Sequence, residues 1–157
     1  MHYTIFDTPV LRTLLRWFSL IVLRLLGWRL VGDFPRDKKY VLIGAPHTSN
    51  WDFLIGLSVR SIQRIRANYL GKSELFRPPY GWFFRSLGGY PVDRKSSTHL
   101  VDQIVDLARK EERFIIAIAP EGTRSAVDKW KTGFYHVARE AGVPIALAYV
   151  DYEKKEI

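Results

Sequence analysis

The sequence predicts an α/β domain in which a largely parallel central sheet is covered by helices, preceded by an N-terminal amphipathic helix. Three observations carry this. Runs that are apolar throughout, Tyr40 to Gly44, Phe114 to Ala119 and Val143 to Val150, alternate with helix-period segments. Strands without a polar side are strands buried on both faces, and that is the habit of parallel sheets. The chain has 157 residues with 47% hydrophobic, 14% aromatic and 25% charged content, which fits one domain and excludes a disordered or fibrous protein. No internal repeat, low-complexity segment or linker divides it, so residues 1–34 read as the helical segment and 35–157 as the α/β domain.

Taken in order, the first element lies between Val10 and Gly32, where Arg12, Arg16, Arg24 and Arg29 stand among leucines, Trp17, Phe18 and Trp28 with no acid. At helical rotation Arg12, Arg16, Ser19 and Arg24 fall within an arc of about 140°, and most of the remaining circumference is apolar. The longest uncharged stretch, Trp17 to Leu23, is far shorter than the ~20 residues a membrane span needs. Arginines interrupt the apolar region and no small-residue cleavage pattern follows, which argues against a signal peptide. Two readings stay open: a helix lying in a membrane interface, with arginines toward lipid phosphates and tryptophans at headgroup depth, or a helix packed on the domain's own core.

Beyond Pro35, Tyr40 to Gly44 reads as a buried strand and Asp52 to Arg64 as a helix. A strand near Ile65 to Leu70 and a helix from Pro79 to Leu87, closed by Gly88 and Gly89, come next. Tyr90 to Asp93 is short and extended. Thr98 to Glu112 places Leu100, Val101, Ile104, Val105, Leu107 and Ala108 on one helical face. Lys131 to Ala141 reads as a helix with Gly142 at its C-terminal cap. The final stretch, Asp151 to Ile157, looks like the start of another strand, so a C-terminally short domain is expected.

Charge narrows the partners. The excess of 24 Lys and Arg over 16 Asp and Glu gives a formal +8, which calls for nucleic acid, an anionic membrane or a phosphorylated small molecule. The N-terminal arginines sit in an apolar helix rather than on a solvated basic face, and no nucleic-acid motif occurs, so nucleic acid ranks last. The absence of cysteine removes a disulfide framework, a thiol nucleophile, cysteine-ligated zinc and iron–sulfur clusters. Gly71-Lys72-Ser73 is no phosphate loop, because Arg66 stands where its first glycine belongs. No G-x-G-x-x-G, G-x-S-x-G or H-E-x-x-H pattern is found.

Two loops remain, each at the carboxyl end of a buried strand, where open α/β sheets bind their ligands. In the first, Ser49 is a good N-cap and Asp52 the third helical position, so His47 lies just outside the helix and the carboxylate can turn back toward its imidazole. A histidine oriented by a carboxylate is a general base, and the helix N-terminus offers N–H groups for an oxyanion. Taken alone the spacing fits equally a capping aspartate beside a loop histidine. The second loop, Pro120-Glu121-Gly122-Thr123-Arg124-Ser125, joins a glycine that permits close backbone approach to an arginine whose planar fork suits phosphate. Its simpler reading is a turn in which Glu121 and Arg124 pair.

Together these loops resemble the lysophosphatidic acid acyltransferase (1-acylglycerol-3-phosphate acyltransferase, glycerolipid acyltransferase) family. Four blocks stand in the family's order: His47 to Asp52 as His-x-x-x-x-Asp, Lys72 through Gly88-Gly89 to Pro91-Val92-Asp93-Arg94, Pro120 to Ser125, and Gly142 to Ile145. The residue before the histidine, often asparagine in the family, is Pro46, and the one before Pro120, often phenylalanine, is Ala119. The resemblance implies that His47, held by Asp52, takes a proton from an acceptor hydroxyl as it attacks an acyl thioester on coenzyme A or acyl carrier protein. Neither an acyl-enzyme nor a metal or other cofactor is implied. It assigns the acceptor's phosphate to Arg124, Lys72 and Arg94, with Glu121, Gly122 and Thr123 in the pocket. Trp82, Phe83 and Phe84 either line an acyl path or sit in the core. The partners so implied are an acyl thioester donor, a phosphorylated lysolipid acceptor and an anionic membrane surface, with the protein peripheral or monotopic on the cytoplasmic face. The competing reading is a non-catalytic phospholipid-binding protein.

Overall fold

A computed structural model of the chain describes residues 3–92 and 97–157. Strands β1 (Lys39–Ala45), β2 (Ala67–Lys72), β3 (Gly89–Val92), β4 (Phe114–Ile118) and β5 (Ile145–Tyr149) form one sheet in the order β3-β2-β4-β1-β5. Every pairing is parallel, with Val41 of β1 opposite Ile116 on one side and Ile145 on the other. Parallel neighbours need crossovers, and α2 (Trp51–Gln63), α3 (Gly81–Ser86), α4 (Ser97–Lys110) and α5 (Gly133–Ala141) supply them in turn. The carboxyl ends of all five strands therefore share one edge.

Strands β1 and β4, neighbours inside the sheet, divide the core because successive side chains point to opposite faces. Val41, Phe114 and Ile116 pack against Ile104 and Ala108 of α4 and Val137 and Ala138 of α5. On the other face Tyr40, Leu42 and Ile115 meet Phe34 and Ile65, while Ile55 and Val59 of α2 join Val150, Trp28 and Leu30. In β1 and β4 both sides are largely buried, as the all-apolar runs forecast, whereas β5, at the edge of the sheet, leaves Ile145, Leu147 and Tyr149 exposed, so that run is not buried on both faces.

Element ends moved inward for local reasons. Helix α1 covers Pro9–Leu25, not the whole stretch to Gly32. Gly27 takes a φ of 79°, its N–H donates to Arg24 O at 3.1 Å and the Trp28 N–H donates to Leu23 O at 2.8 Å. That pair of bonds is a Schellman termination. It turns Trp28 and Leu30 into the core. Arg64, with a φ of 55°, closes α2, so β2 starts at Ala67 rather than Ile65. Helix α3 begins at Gly81, after Pro78 and Pro79, where a Cβ would overlap the Phe76 carbonyl. Gly142 caps α5 with a φ of 64°, as expected from sequence.

The orientation of α1 differs from the interface reading of its arginines. Ser19 and Leu23 are buried, Arg12 and Arg16 are half-buried with their Nε atoms out of solvent, and this side lies against α2. Outward face Val10, Leu14, Trp17 (62% exposed), Phe18 (65%), Ile21 and Leu25 (81%). The arginine stripe is thus turned inward, because it is the narrow side and the wider apolar side finds no protein partner. Only Arg24 of the helical arginines is exposed. Trp82 and Phe83 are exposed as well, so α3 does not place them in the core.

Candidate active site

Four strand ends at the shared edge carry a residue of interest among the described residues: His47 follows β1, Lys72 ends β2, Glu121 follows β4 and Tyr152 follows β5. The loop after β1 opens with a cis Ala45–Pro46 peptide bond and runs into α2, whose first turn holds Asp52 as second residue rather than third. The carboxylate turns back as anticipated. Asp52 Oδ2 accepts the N–H groups of Thr48 at 2.7 Å and Ser49 at 2.8 Å and lies 3.1 Å from His47 Nδ1. The Asp52 side chain is 8% exposed and that of His47 29%, so the carboxylate is sheltered and the imidazole open.

The N-cap assignment changes in detail. Asn50 occupies the cap without a side-chain bond, and Ser49 Oγ accepts the Trp51 N–H at 3.0 Å. The N–H groups of Thr48, Ser49 and Trp51 are consequently committed to Asp52 and Ser49. These three are not free for an oxyanion.

The second loop meets the first through Glu121 rather than through an ion pair with Arg124. Glu121 is 8% exposed; its Oε1 accepts the His47 N–H at 3.3 Å, and its Oε2 is buried with no hydrogen-bond partner among the described residues. Gly122 takes a φ of 65°, and a Cβ there would stand 2.9 Å from Lys131 Nζ, so the lysine lies across the glycine. The Lys131 N–H donates to Pro120 O at 2.9 Å, which fixes the start of that side chain. Thr123 Oγ1 accepts the Ser125 N–H at 3.3 Å, while Thr123, Arg124 and Lys72 are exposed at the same edge without a bond to His47 or Asp52. Arg94 lies outside the described residues.

Two residues escaped the sequence reading. In the sequence Lys131 reads only as the start of a helix, and its place beside Gly122 follows from the Pro120 bond. Tyr152 donates its hydroxyl to Asp52 Oδ1, and its ring stands edge-on to Trp28 at 5.2 Å. Burial, then the Asp52 hydrogen bond and charge, push the Tyr152 phenol up, with Ser49 and Thr48 opposing. It therefore stays a proton donor at neutral pH. Among the described residues no group of three or more His, Asp or Glu is placed to hold a metal ion.

Chemically the edge offers a sheltered carboxylate, an imidazole bound to it through one nitrogen, a buried acceptor oxygen and exposed cations. An acyltransferase family model matches residues 28–150. The 1-acyl-sn-glycerol-3-phosphate acyltransferase of Haemophilus influenzae is 30% identical over 139 residues, 83% of this chain and 56% of the relative. The enzyme of the same name from Streptococcus pneumoniae is 31% identical over 113 residues, 70% of this chain and 40% of its own. The fold is similar to the crystal structure of the 1-acyl-sn-glycerophosphate (LPA) acyltransferase PlsC from Thermotoga maritima, with a TM-score of 0.57 at 21% identity over 88% of this chain and 58% of that one. The chain spans about half the length of the curated relatives it matches. Block order, sheet and family match converge, and the chain belongs to the acyltransferase family that includes the lysophosphatidic acid acyltransferases.

Proposed function

We propose that this chain moves a fatty acyl group from an acyl thioester to the hydroxyl of a lysophospholipid such as 1-acylglycerol-3-phosphate, at a membrane surface. One observation carries the reading. His47 has Nδ1 bound to Asp52, and no partner is recorded for Nε2 among the described residues. A ring that donates Nδ1–H to a carboxylate keeps a lone pair on Nε2, and that is a base aimed away from its orienting group. Nε2 takes the acceptor's hydroxyl proton as its oxygen bonds to the thioester carbonyl carbon. The C–S bond then breaks, and the sulfur leaves with the proton from the imidazolium. No covalent acyl-enzyme forms.

Arg124 and Lys72, with Arg94, hold the acceptor's phosphate, and Lys131 lies close enough to Gly122 to join them. Glu121, Gly122 and Thr123 shape the pocket. Trp82 and Phe83 are exposed on α3 and not in the core, which supports a role for them in meeting an acyl chain. The outward side of α1 supports a membrane surface: Leu14, Trp17, Phe18, Ile21 and Leu25 form an unpartnered apolar face of the kind that sinks to headgroup depth. Among the described residues no helix is long and apolar enough to cross a membrane, which agrees with a helix lying in the interface. The proposed location is peripheral, on the cytoplasmic face, and the thioester is carried by coenzyme A or acyl carrier protein.

The test is thiol release from an acyl-coenzyme A panel with lysophosphatidic acid in mixed micelles, for the wild type and His47→Ala. Acceptor-dependent release that falls by about 10³-fold in the variant is expected of a lost general base. Release unchanged in His47→Ala sinks the mechanism. If the wild type binds vesicles yet transfers nothing from coenzyme A or carrier-protein donors, the non-catalytic phospholipid-binding reading takes over.

A further inference from the structure

The residues after β5 form a clasp on the segment that leaves α1. The N–H groups of Arg29 and Val31 donate to Lys155 O and Ile157 O, each at 2.8 Å, and the Ile157 N–H returns to Arg29 O at 3.0 Å. Lys155 Nζ donates to Leu26 O at 2.9 Å, and Arg29 pairs with Glu156 at 2.8 Å. The turn itself is closed by an antiparallel bridge between Asp151 and Glu156, with Asp151 Oδ1 accepting the N–H groups of Glu153 and Lys154 at 3.0 and 2.9 Å. What this turn presents is Tyr152.

Asp52 Oδ2 already faces Thr48 N–H, Ser49 N–H and His47 Nδ1. The hydroxyl of Tyr152 is the partner of the other oxygen. A carboxylate fixed through one oxygen can still rock about its last torsion, which is broad for aspartate. Fixing both oxygens removes that freedom. We propose that Tyr152 is a positioning residue for the His47–Asp52 pair, its hydroxyl anchoring Asp52 Oδ1 so that Oδ2 stays aimed at His47 Nδ1. The inference rests on the general-base reading of His47 given above. The ring packs on Trp28 and belongs to the clasp; the hydroxyl serves the site. The proton that this hydrogen bond needs is retained at neutral pH, because burial and Asp52 both disfavour the phenolate.

Tyr152→Phe separates the two, since it keeps the ring and removes the hydroxyl. With acyl-coenzyme A and lysophosphatidic acid in mixed micelles, kcat should fall about tenfold, the scale of one hydrogen bond to a charged group. KM for both substrates and the melting temperature should stay at wild-type values. A fall in kcat of less than fivefold, or a loss shared with KM or with melting temperature, overturns the positioning role and leaves the base in place if His47→Ala is inactive. Full turnover in His47→Ala overturns the base reading and this inference with it. The three outcomes are distinct in one set of assays.

Discussion

At the amino-terminal edge of the sheet Arg60 is 4% exposed, and at the carboxyl edge Glu121 is 8% exposed. Their surroundings differ. Arg60 donates to Leu87 O at 2.6 Å and to Thr4 Oγ1 at 3.2 Å, and its guanidinium lies 4.1 Å from the Phe6 ring centroid. Nearby Asp7 pairs with Arg66 at 3.0 Å, and the cavity between these groups is about 20 Å³, room for roughly one water. Burial pushes the Arg60 guanidinium down to about 10 against the opposing charge of Asp7, so it remains a cation at neutral pH. Arg60 Nε stays buried without a partner among the described residues, yet solvent does not reach it, so that edge is closed and its charge ties the segment before α1 to α2 and to the end of α3. Glu121 ties two loops with one oxygen and leaves the other without a partner among the described residues, while Arg124 and Lys131 of the same loop region are exposed. The second edge is open, with the His47 imidazole and the exposed cations in reach of solvent.

The comparison breaks most visibly at Arg60. Arg60→Leu strips a donor from Leu87 O and Thr4 Oγ1 and should cost about 3 kcal/mol in denaturant unfolding, as removal of one member of a buried charged network does. Turnover measured well below the new melting temperature should hold within about threefold, an energy under 1 kcal/mol. A stability loss below that level would mean the edge is not closed as described. Gly81→Ala comes next, at about 2 kcal/mol, because its Cβ meets the Phe76 carbonyl, part of the backbone, and not a side chain that can swing away. Calorimetry reads that loss directly.

Glu121→Gln probes the open edge. The amide keeps one acceptor for the His47 N–H but sets donor N–H groups where the unpaired oxygen stands. Turnover should drop about tenfold with melting temperature unchanged or raised, since the oxygen replaced has no hydrogen-bond partner among the described residues. A large stability loss with intact turnover would reverse the roles of the two edges. Smaller still is Gly56→Ala, in mid-helix with nothing within 4 Å of its added Cβ, which should stabilise by about 0.5–1 kcal/mol.

What the sequence made legible and what it hid follow the range of each interaction. Runs such as Phe114 to Ile118 announce a strand buried on both faces, and Gly142 announces its cap, because both are decided by neighbours in the chain. His47 and Asp52 were legible because one helix start sets their geometry. The facing of α1 was not, since its pattern gives a narrow polar stripe without saying which side the protein covers. Tyr152 was hidden for another reason: it lies 100 residues from Asp52, and only the parallel register of β5 beside β1, with Tyr149 opposite Ala45, carries it to the site. Lys131 likewise needed the Pro120 bond to place it.

The smallest effect sharpens what the two edges teach, because Glu112 sits at the same edge as Arg60 but is a fully exposed charge. Its Oε1 accepts from Lys38 Nζ at 3.0 Å, and that hydrogen bond first, then the Lys38 charge, holds the carboxyl below its usual range. A carboxyl whose folded value is depressed adds stability above its unfolded value and loses it as pH falls through the folded one. The group is fully exposed, however, and solvent and salt screen it. Glu112→Gln should therefore leave the melting temperature within replicate scatter at neutral pH and 0.5 M salt, with any difference at low salt vanishing as pH drops into the acid range. If it instead destabilises as Arg60→Leu does, position at the edge and not burial sets what a charge is worth here.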